Sequence, residues 1–177
     1  MKKYLFREYS NKYPKLFEKE RKKLITLIPN LKIEHIGSTA IEGLGGKGII
    51  DVMISVPKKE IDEIKNRLIK AKYNFKSEAG DKNRFFFEKD YGLIKKRRVH
   101  LQLTSNNSDV WKKAIKFRDI LRKNKKIRNR YSLIKQEAVL LRKKNKDYRN
   151  FKKKFIERVL KWNFVKQQKK ILKEYVS

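Results

Sequence analysis

Residues 33–56 read Ile33-Glu34-His35-Ile36-Gly37-Ser38-Thr39-Ala40-Ile41-Glu42-Gly43-Leu44-Gly45-Gly46-Lys47-Gly48-Ile49-Ile50-Asp51-Val52-Met53-Ile54-Ser55-Val56. Residues 32–36 alternate polar and apolar before Gly37, and 49–56 form a β-branched apolar run closed by Pro57, so two strands flank the loop 37–48. Asp51 interrupts that apolar run. A carboxylate there costs stability unless it is paired or holds a metal, which marks the position as a candidate for chemistry. The hydroxyls and backbone N–H groups of Gly37, Ser38 and Thr39 lie at the opposite end of the loop, and together with Asp51 they outline a candidate phosphate and metal site.

Around this centre the pattern alternates between helical and extended periods. Leu16, Phe17, Glu20, Leu24, Leu27 and Ile28 recur at helical spacing, with Pro14 suited to a first turn and Pro29 just past the end, predicting an amphipathic helix over 13–28. Ile61, Ile64 and Leu68 predict a second helix between Lys58 and Ala71. Arg84 to Glu88 and Arg98 to Leu103 read as strands, joined by a turn at Lys89-Asp90-Tyr91-Gly92, so the sheet is expected to have four or five strands. From Ser108 onward glycine and proline vanish. Ser108 suits an N-cap, and helices are expected through 125–144 and 147–175 with breaks near Asn124 and Asn145.

Composition narrows the classes. A chain of 177 residues with 39% apolar content can build one ordinary core plus a helical extension. Its formal charge of +31, from 50 Lys and Arg against 19 Asp and Glu, exceeds what solubility needs, so nucleic acid or another polyanion is a plausible partner. Codon bias in an AT-rich genome explains many lysines, but not the shortage of acids. Residues 1–104 carry 25 basic and 13 acidic side chains, whereas 105–177 carry 25 and 6, and the lysine clusters at 143–146 and 152–154 fall within amphipathic patterns. The absence of cysteine removes disulfides, thiolate catalysis and Cys-ligated zinc. Without a long apolar h-region or a run near about 18 apolar residues, no membrane segment is expected and a cytoplasmic location is.

The stretch His35-Ile-Gly-Ser-Thr-Ala-Ile-Glu-Gly-Leu-Gly-Gly-Lys-Gly-Ile-Ile-Asp51 resembles the GrpB family, whose wording is close to His-Ile-Gly-Ser-Thr-Ala-Val-Pro-Gly-Leu followed by Lys-Pro-Ile-Ile-Asp. Arg84-Phe85-Phe86, Val99 to Leu103, and Phe117-Arg118-Asp119 to Leu121 follow in the family's order, so the resemblance runs from about Tyr9 to Asn145. That family is similar to the nucleotidyltransferase superfamily, in which a Gly-Ser ending one strand precedes Asp-x-Asp or Asp-x-Glu on the next. The resemblance implies an α+β fold: a small mixed β-sheet of nucleotidyltransferase type packed with helices on one side, then a C-terminal helical bundle. The division expected is 1–106 for the core and 107–177 for the basic helical region.

The resemblance further implies that Gly37, Ser38 and Thr39, with Lys47 and Arg84, bind the phosphates of a nucleoside triphosphate, that Asp51 ligates magnesium or manganese, and that His100 is a second ligand or a proton acceptor. The reaction would transfer a nucleotidyl group to a hydroxyl acceptor. The chain also departs from that pattern. Met53 occupies the position two residues after Asp51, where a second carboxylate belongs, and His100 and Gln102 stand where the family tends to have His-x-His. Glu34, Glu42 and Glu88 are the carboxylates that could approach Asp51 instead. A non-catalytic nucleotide-binding or accessory module is the alternative, since GrpB-like domains occur fused to dephospho-coenzyme A kinase, and a basic RNA-binding protein is a third.

Each feature has a plain structural reading too. Asp51 could cap the glycine-rich turn, and Ser38 and Thr39 could satisfy local backbone groups. Gly43, Gly45, Gly46 and Gly48 could form a tight connection rather than a phosphate cradle; the Gly43 to Lys47 run also mimics an RNA-binding Gly-x-x-Gly turn, while Gly48 after Lys47 breaks the Walker pattern. His35 and His100 are the two histidines, each on a predicted strand. Arg97 and Arg98 suit a solvated hairpin face, and Trp111, Phe117, Tyr131 and Trp162 are most simply core.

Overall fold

A computed structural model describes residues 6–91, 97–140 and 150–163, with the side chains of 97 and 138–140 excepted. Helix α1 (Lys12–Leu27) leads into β1 (Lys32–Ile36), and β2 (Ile50–Val56) follows the glycine-rich loop. A short 3-10 turn at Lys58–Glu60 precedes α2 (Ile61–Lys70), then come β3 (Asn74–Phe75), β4 (Arg84–Tyr91) and β5 (Arg97–Ser105). Helices α3 (Asp109–Lys123) and α4 (Lys125–Leu140) follow, and residues 150–163 form a further helix, α5.

The strands make one five-stranded sheet in the order β1-β2-β5-β4-β3. β2 and β5 run parallel and the other neighbours antiparallel, so the sheet is mixed. Register places Ile36, Asp51, His100 and Glu88 side by side across β1, β2, β5 and β4. One face carries Ile50, Val52, Ile54 and Val56 of β2 with Val99, Leu101 and Leu103 of β5, and it packs against Leu24 of α1 and Ile64 and Leu68 of α2. Leu24, Ile54 and Leu68 are fully buried, and each such side chain contributes about 1.5–3 kcal/mol. Glu20 is buried in the same layer because the Tyr73 and Tyr91 hydroxyls donate to it at 2.5 and 3.0 Å.

The α+β class and mixed sheet stand as expected from the sequence. The helices are not confined to one side, however: Arg118 of α3 donates to Glu34 on the opposite face at 2.5 Å and to the His35 carbonyl at the free edge of β1 at 3.0 Å. β4 runs on through Tyr91 rather than turning at Lys89-Asp90, because Asp90 pairs with Arg98 as a cross-strand ion pair; residues 92–96 lie outside the described residues. The two-residue β3 carries too short a pattern to be read from sequence.

Ser108 caps α3 by accepting from the Trp111 N–H at 3.2 Å, and the helix breaks at Asn124. The expected break near Asn145, the lysine cluster at 143–146 and the helix beyond 163 lie outside the described residues. α3, α4 and α5 join the loop after Gly37 in a second apolar cluster, with Ile41 and Leu44 against Leu121 and Tyr131 and with Phe117 and Phe155 at its border. Trp162, expected in the core, is 49% exposed.

Candidate phosphate-binding site

On the face of the sheet away from α1 and α2, three ionisable side chains form a row because register aligns them. His100 Nδ1 donates to Asp51 Oδ1 at 3.2 Å, and its Nε2 lies 3.4 Å from Glu88 Oε1. The Phe86 ring meets the imidazole edge-on at 4.9 Å and fixes its plane. A neutral imidazole donates to one of these carboxylates; the doubly protonated ring donates to both. All three side chains keep partial access to solvent, with Asp51 at 24%, His100 at 19% and Glu88 at 29% exposure, so the row can meet a ligand.

The Gly37-Ser38 turn stands directly above Asp51. Gly37 has φ +72°, and a β-carbon on it would fall 2.2 Å from Asp51 Oδ2. Only glycine leaves room for the carboxylate beneath the turn. Ser38 opens a one-turn 3-10 helix, Ser38–Ala40, and its hydroxyl lies against Gly46, where a β-carbon would meet Oγ at 2.4 Å. The loop is pressed from the other side as well: Gly46 bonds Arg7 through both backbone groups, at 2.7 and 2.8 Å, and the Phe6 ring occupies the space beside Gly45. Close packing of chain on chain therefore accounts for Gly45 and Gly46, the tight-connection reading.

Lys135 of α4 also reaches this loop. Its ammonium donates to the Gly45 carbonyl, lies 4.8 Å above the Tyr131 ring centre, and is 3.7 Å from the same point over Gly46 that Ser38 Oγ approaches. Lys135 is 3% exposed, and burial lowers its pKa to about 7, with Lys152 pushing the same way and Asp51 opposing. Among 50 basic residues it carried no distinction in the sequence. The available signal was its position: it lies four residues after Tyr131, on the stripe that α4 buries.

The remaining candidates separate. Thr39 is buried, donates to the Ile49 carbonyl at 3.0 Å and lies 3.0 Å from His35 Nε2, so its hydroxyl serves the strand ends. Because that hydroxyl spends its proton on Ile49, the His35 ring donates through Nε2 and is neutral; burial lowers its pKa to about 4. His35 faces α1, stacked on Phe17 at 4.4 Å, away from Asp51's face of the sheet. Lys47 is exposed on the loop. Arg84 pairs with Asp81 and Gln102 at the Thr104 end of the sheet, four residues along β4 from Glu88, or about 13 Å. Of the three glutamates, Glu88 approaches the row through His100, Glu34 is taken by Arg118, and Glu42 is exposed.

A paired divalent site of the nucleotidyltransferase kind does not fit these residues. Met53 is fully buried in the second carboxylate's position, Asp51 Oδ1 is engaged by His100 and Oδ2 faces Gly37. Among the described residues no group of three or more His, Cys, Asp or Glu is arranged to hold a metal. No helix among them is long and apolar enough to cross a membrane.

Comparison with known proteins agrees with this architecture. The family model described as GrpB protein matches residues 5–162. Glutamate-rich protein GrpB of Alkalihalophilus pseudofirmus is 32% identical over 158 residues, covering 86% of this chain and 91% of the relative. The crystal structure of conserved protein GrpB from Enterococcus faecalis superposes with a TM-score of 0.74 at 28% identity, over 90% of this chain and 99% of that one. A chain of the GLD-2/RNP-8 complex superposes with a TM-score of 0.53 at 16% identity, over 74% of this chain and 55% of that one. At that identity the likeness shows the fold alone, which is that of the nucleotidyltransferases.

Proposed function

Because this chain belongs to the GrpB family and has the nucleotidyltransferase fold, we propose that it binds a nucleoside triphosphate, with the phosphates at the Gly37-Ser38 turn above Asp51. The observation that carries this reading is the fit of the Asp51 carboxylate beneath Gly37, which brings a hydroxyl, a carboxylate and the open row of His100 and Glu88 to one face of the sheet. Magnesium or manganese enters this reading as the counter-ion of the triphosphate, and Asp51 is the carboxylate that would hold it. It would neutralise phosphate charge. Thr39 and Arg84 have no part in the reading, since both are engaged elsewhere. Titration of ATP and UTP with magnesium or manganese into the protein and into Asp51→Ala tests it. Binding at one site per chain that weakens about tenfold or more in the variant is expected; equal affinity in the two proteins would refute it.

Transfer of a nucleotidyl group to a hydroxyl acceptor is favoured by the row itself. His100 Nδ1 lies 3.2 Å from Asp51 Oδ1, and a ring that donates there has Nε2 to take the acceptor's proton. Release of pyrophosphate on adding candidate hydroxyl acceptors, lost in His100→Gln, would establish transfer; binding without release leaves an accessory nucleotide-binding module.

RNA binding is favoured by a different surface. A groove between α4 and α5 of about 790 Å³ is lined by Lys126, Arg130, Lys154 and Arg158 and by the exposed Phe151 and Trp162, a combination of cations and rings suited to single strands. Affinity for single-stranded RNA that falls steeply with salt is expected from it.

A further inference from the structure

Lys135 poses a problem that the phosphate site resolves. Lys135 is 3% exposed, and among the described residues no carboxylate lies within ion-pair distance of its ammonium, Asp51 acting on it from farther off. A buried charge held by one carbonyl and the face of one ring is expensive, and such a group persists where an anion completes it. A purely structural clamp on the Gly45 carbonyl would need a donor, not a charge. The ammonium also stands on the side of the loop where Ser38 presents its hydroxyl: the point above Gly46 is 2.4 Å from Ser38 Oγ and 3.7 Å from Lys135 Nζ. A phosphate oxygen seated between them would accept from both.

The same site lacks the carboxylate that a second divalent ion requires, because Met53 takes its place and is fully buried. We infer that Lys135 supplies at this loop the positive charge that a second divalent ion would otherwise bring to the phosphates, so that the Ser38 site holds a polyphosphate group even when metal is absent. The inference rests on the proposed triphosphate site and specifies how that site holds its ligand. Burial lowers the pKa of Lys135 to about 7, so near neutral pH the ammonium gives up its proton readily, and a bound anion would restore it.

Inorganic tripolyphosphate titrated into the full chain in EDTA tests this. At about 0.3 M salt the Debye length is about 6 Å, which screens diffuse attraction to a chain of formal charge +31. The expected result is one tripolyphosphate per chain in EDTA, weakened about tenfold or more by Lys135→Met and by a smaller factor by Ser38→Ala. Lys135→Met keeps a side chain of similar length in the buried stripe. Should that variant not fold, the unaltered protein still decides the matter: affinity in EDTA within a few-fold of that in magnesium supports the inference, and binding only with magnesium overturns it. Magnesium-dependent binding would leave the proposed function standing, whereas binding under neither condition would overturn both.

Discussion

The backbone of Gly37 rests on the carboxylate of Asp51, with 2.2 Å between Asp51 Oδ2 and the place a β-carbon would take. This contact explains why a glycine ends β1 and why Asp51 can sit inside an apolar strand: the turn and the carboxylate are shaped to one another, and His100 holds the other oxygen at 3.2 Å. Gly37→Ala adds both a clash and a left-handed strain at φ +72°. A loss of about 2–4 kcal/mol in unfolding free energy by denaturant titration is expected. Triphosphate affinity should fall as well, since Ser38 follows directly.

Met53→Asp restores the spacing of two carboxylates on one face of β2, at a position that is fully buried. Without metal the variant should lose about 3–5 kcal/mol, because an unpaired charge replaces an apolar side chain. Adding magnesium or manganese at millimolar concentration should raise the Tm of the variant and leave that of the unaltered protein nearly unchanged. Equal metal effects on the two proteins would mean that Met53 is not what excludes the second ion.

His35 makes stability depend on acid. Its folded pKa is lowered to about 4 by burial, from 6.5 in the unfolded chain, so between those values the unfolded state binds more protons than the folded one. The stabilisation is present above pH 6.5 and is lost as pH falls toward 4, on the order of 3 kcal/mol in all. Denaturant titrations across that range should show the slope, and His35→Gln, though less stable near neutral pH, should have a shallower one.

Leu121 of α3 ties the helices to the loop after Gly37, fully buried against Ile41, Leu44 and Tyr131. Leu121→Ala should cost about 2–5 kcal/mol by leaving a cavity. Because Arg122 beside it also holds the Ala40 carbonyl, at 2.8 and 3.0 Å, the helices and the loop should unfold together in a single calorimetric transition. Two separate transitions would show that they are independent.

Much of this was legible in the sequence. The β-branched run ending at Pro57, the helical spacing of Leu16 to Ile28 and the Ser108 cap each carry a local signal, and each formed where expected. Local pattern could not place what depends on pairing. Asp90 looks like a turn residue until Arg98 lies across from it, and Glu20 looks misplaced on an apolar stripe until Tyr73 and Tyr91 arrive from 53 and 71 residues away. At the site, the juxtaposition of Gly37, Ser38 and Asp51 follows from the strand-loop-strand pattern, and Glu88 needed only the β4–β5 register. Lys135 was hidden because its residue type says nothing of burial in a lysine-rich helix, and only its place four residues after Tyr131 hinted at it. Thr39, read as a candidate for the site, bonds His35 beside α1 instead, because alternation along β1 turns His35 to the face opposite Glu34.

Amide shift mapping by NMR tests the central claim most directly. ATP with magnesium, added at about 0.3 M salt to screen the basic helices, should move the amides of Gly37, Ser38, Gly46 and Asp51 most, in proportion to a single binding curve, and Asp51→Ala should diminish those shifts. Shifts confined to α4 and α5, with the Gly37-Ser38 turn unmoved, would contradict the account.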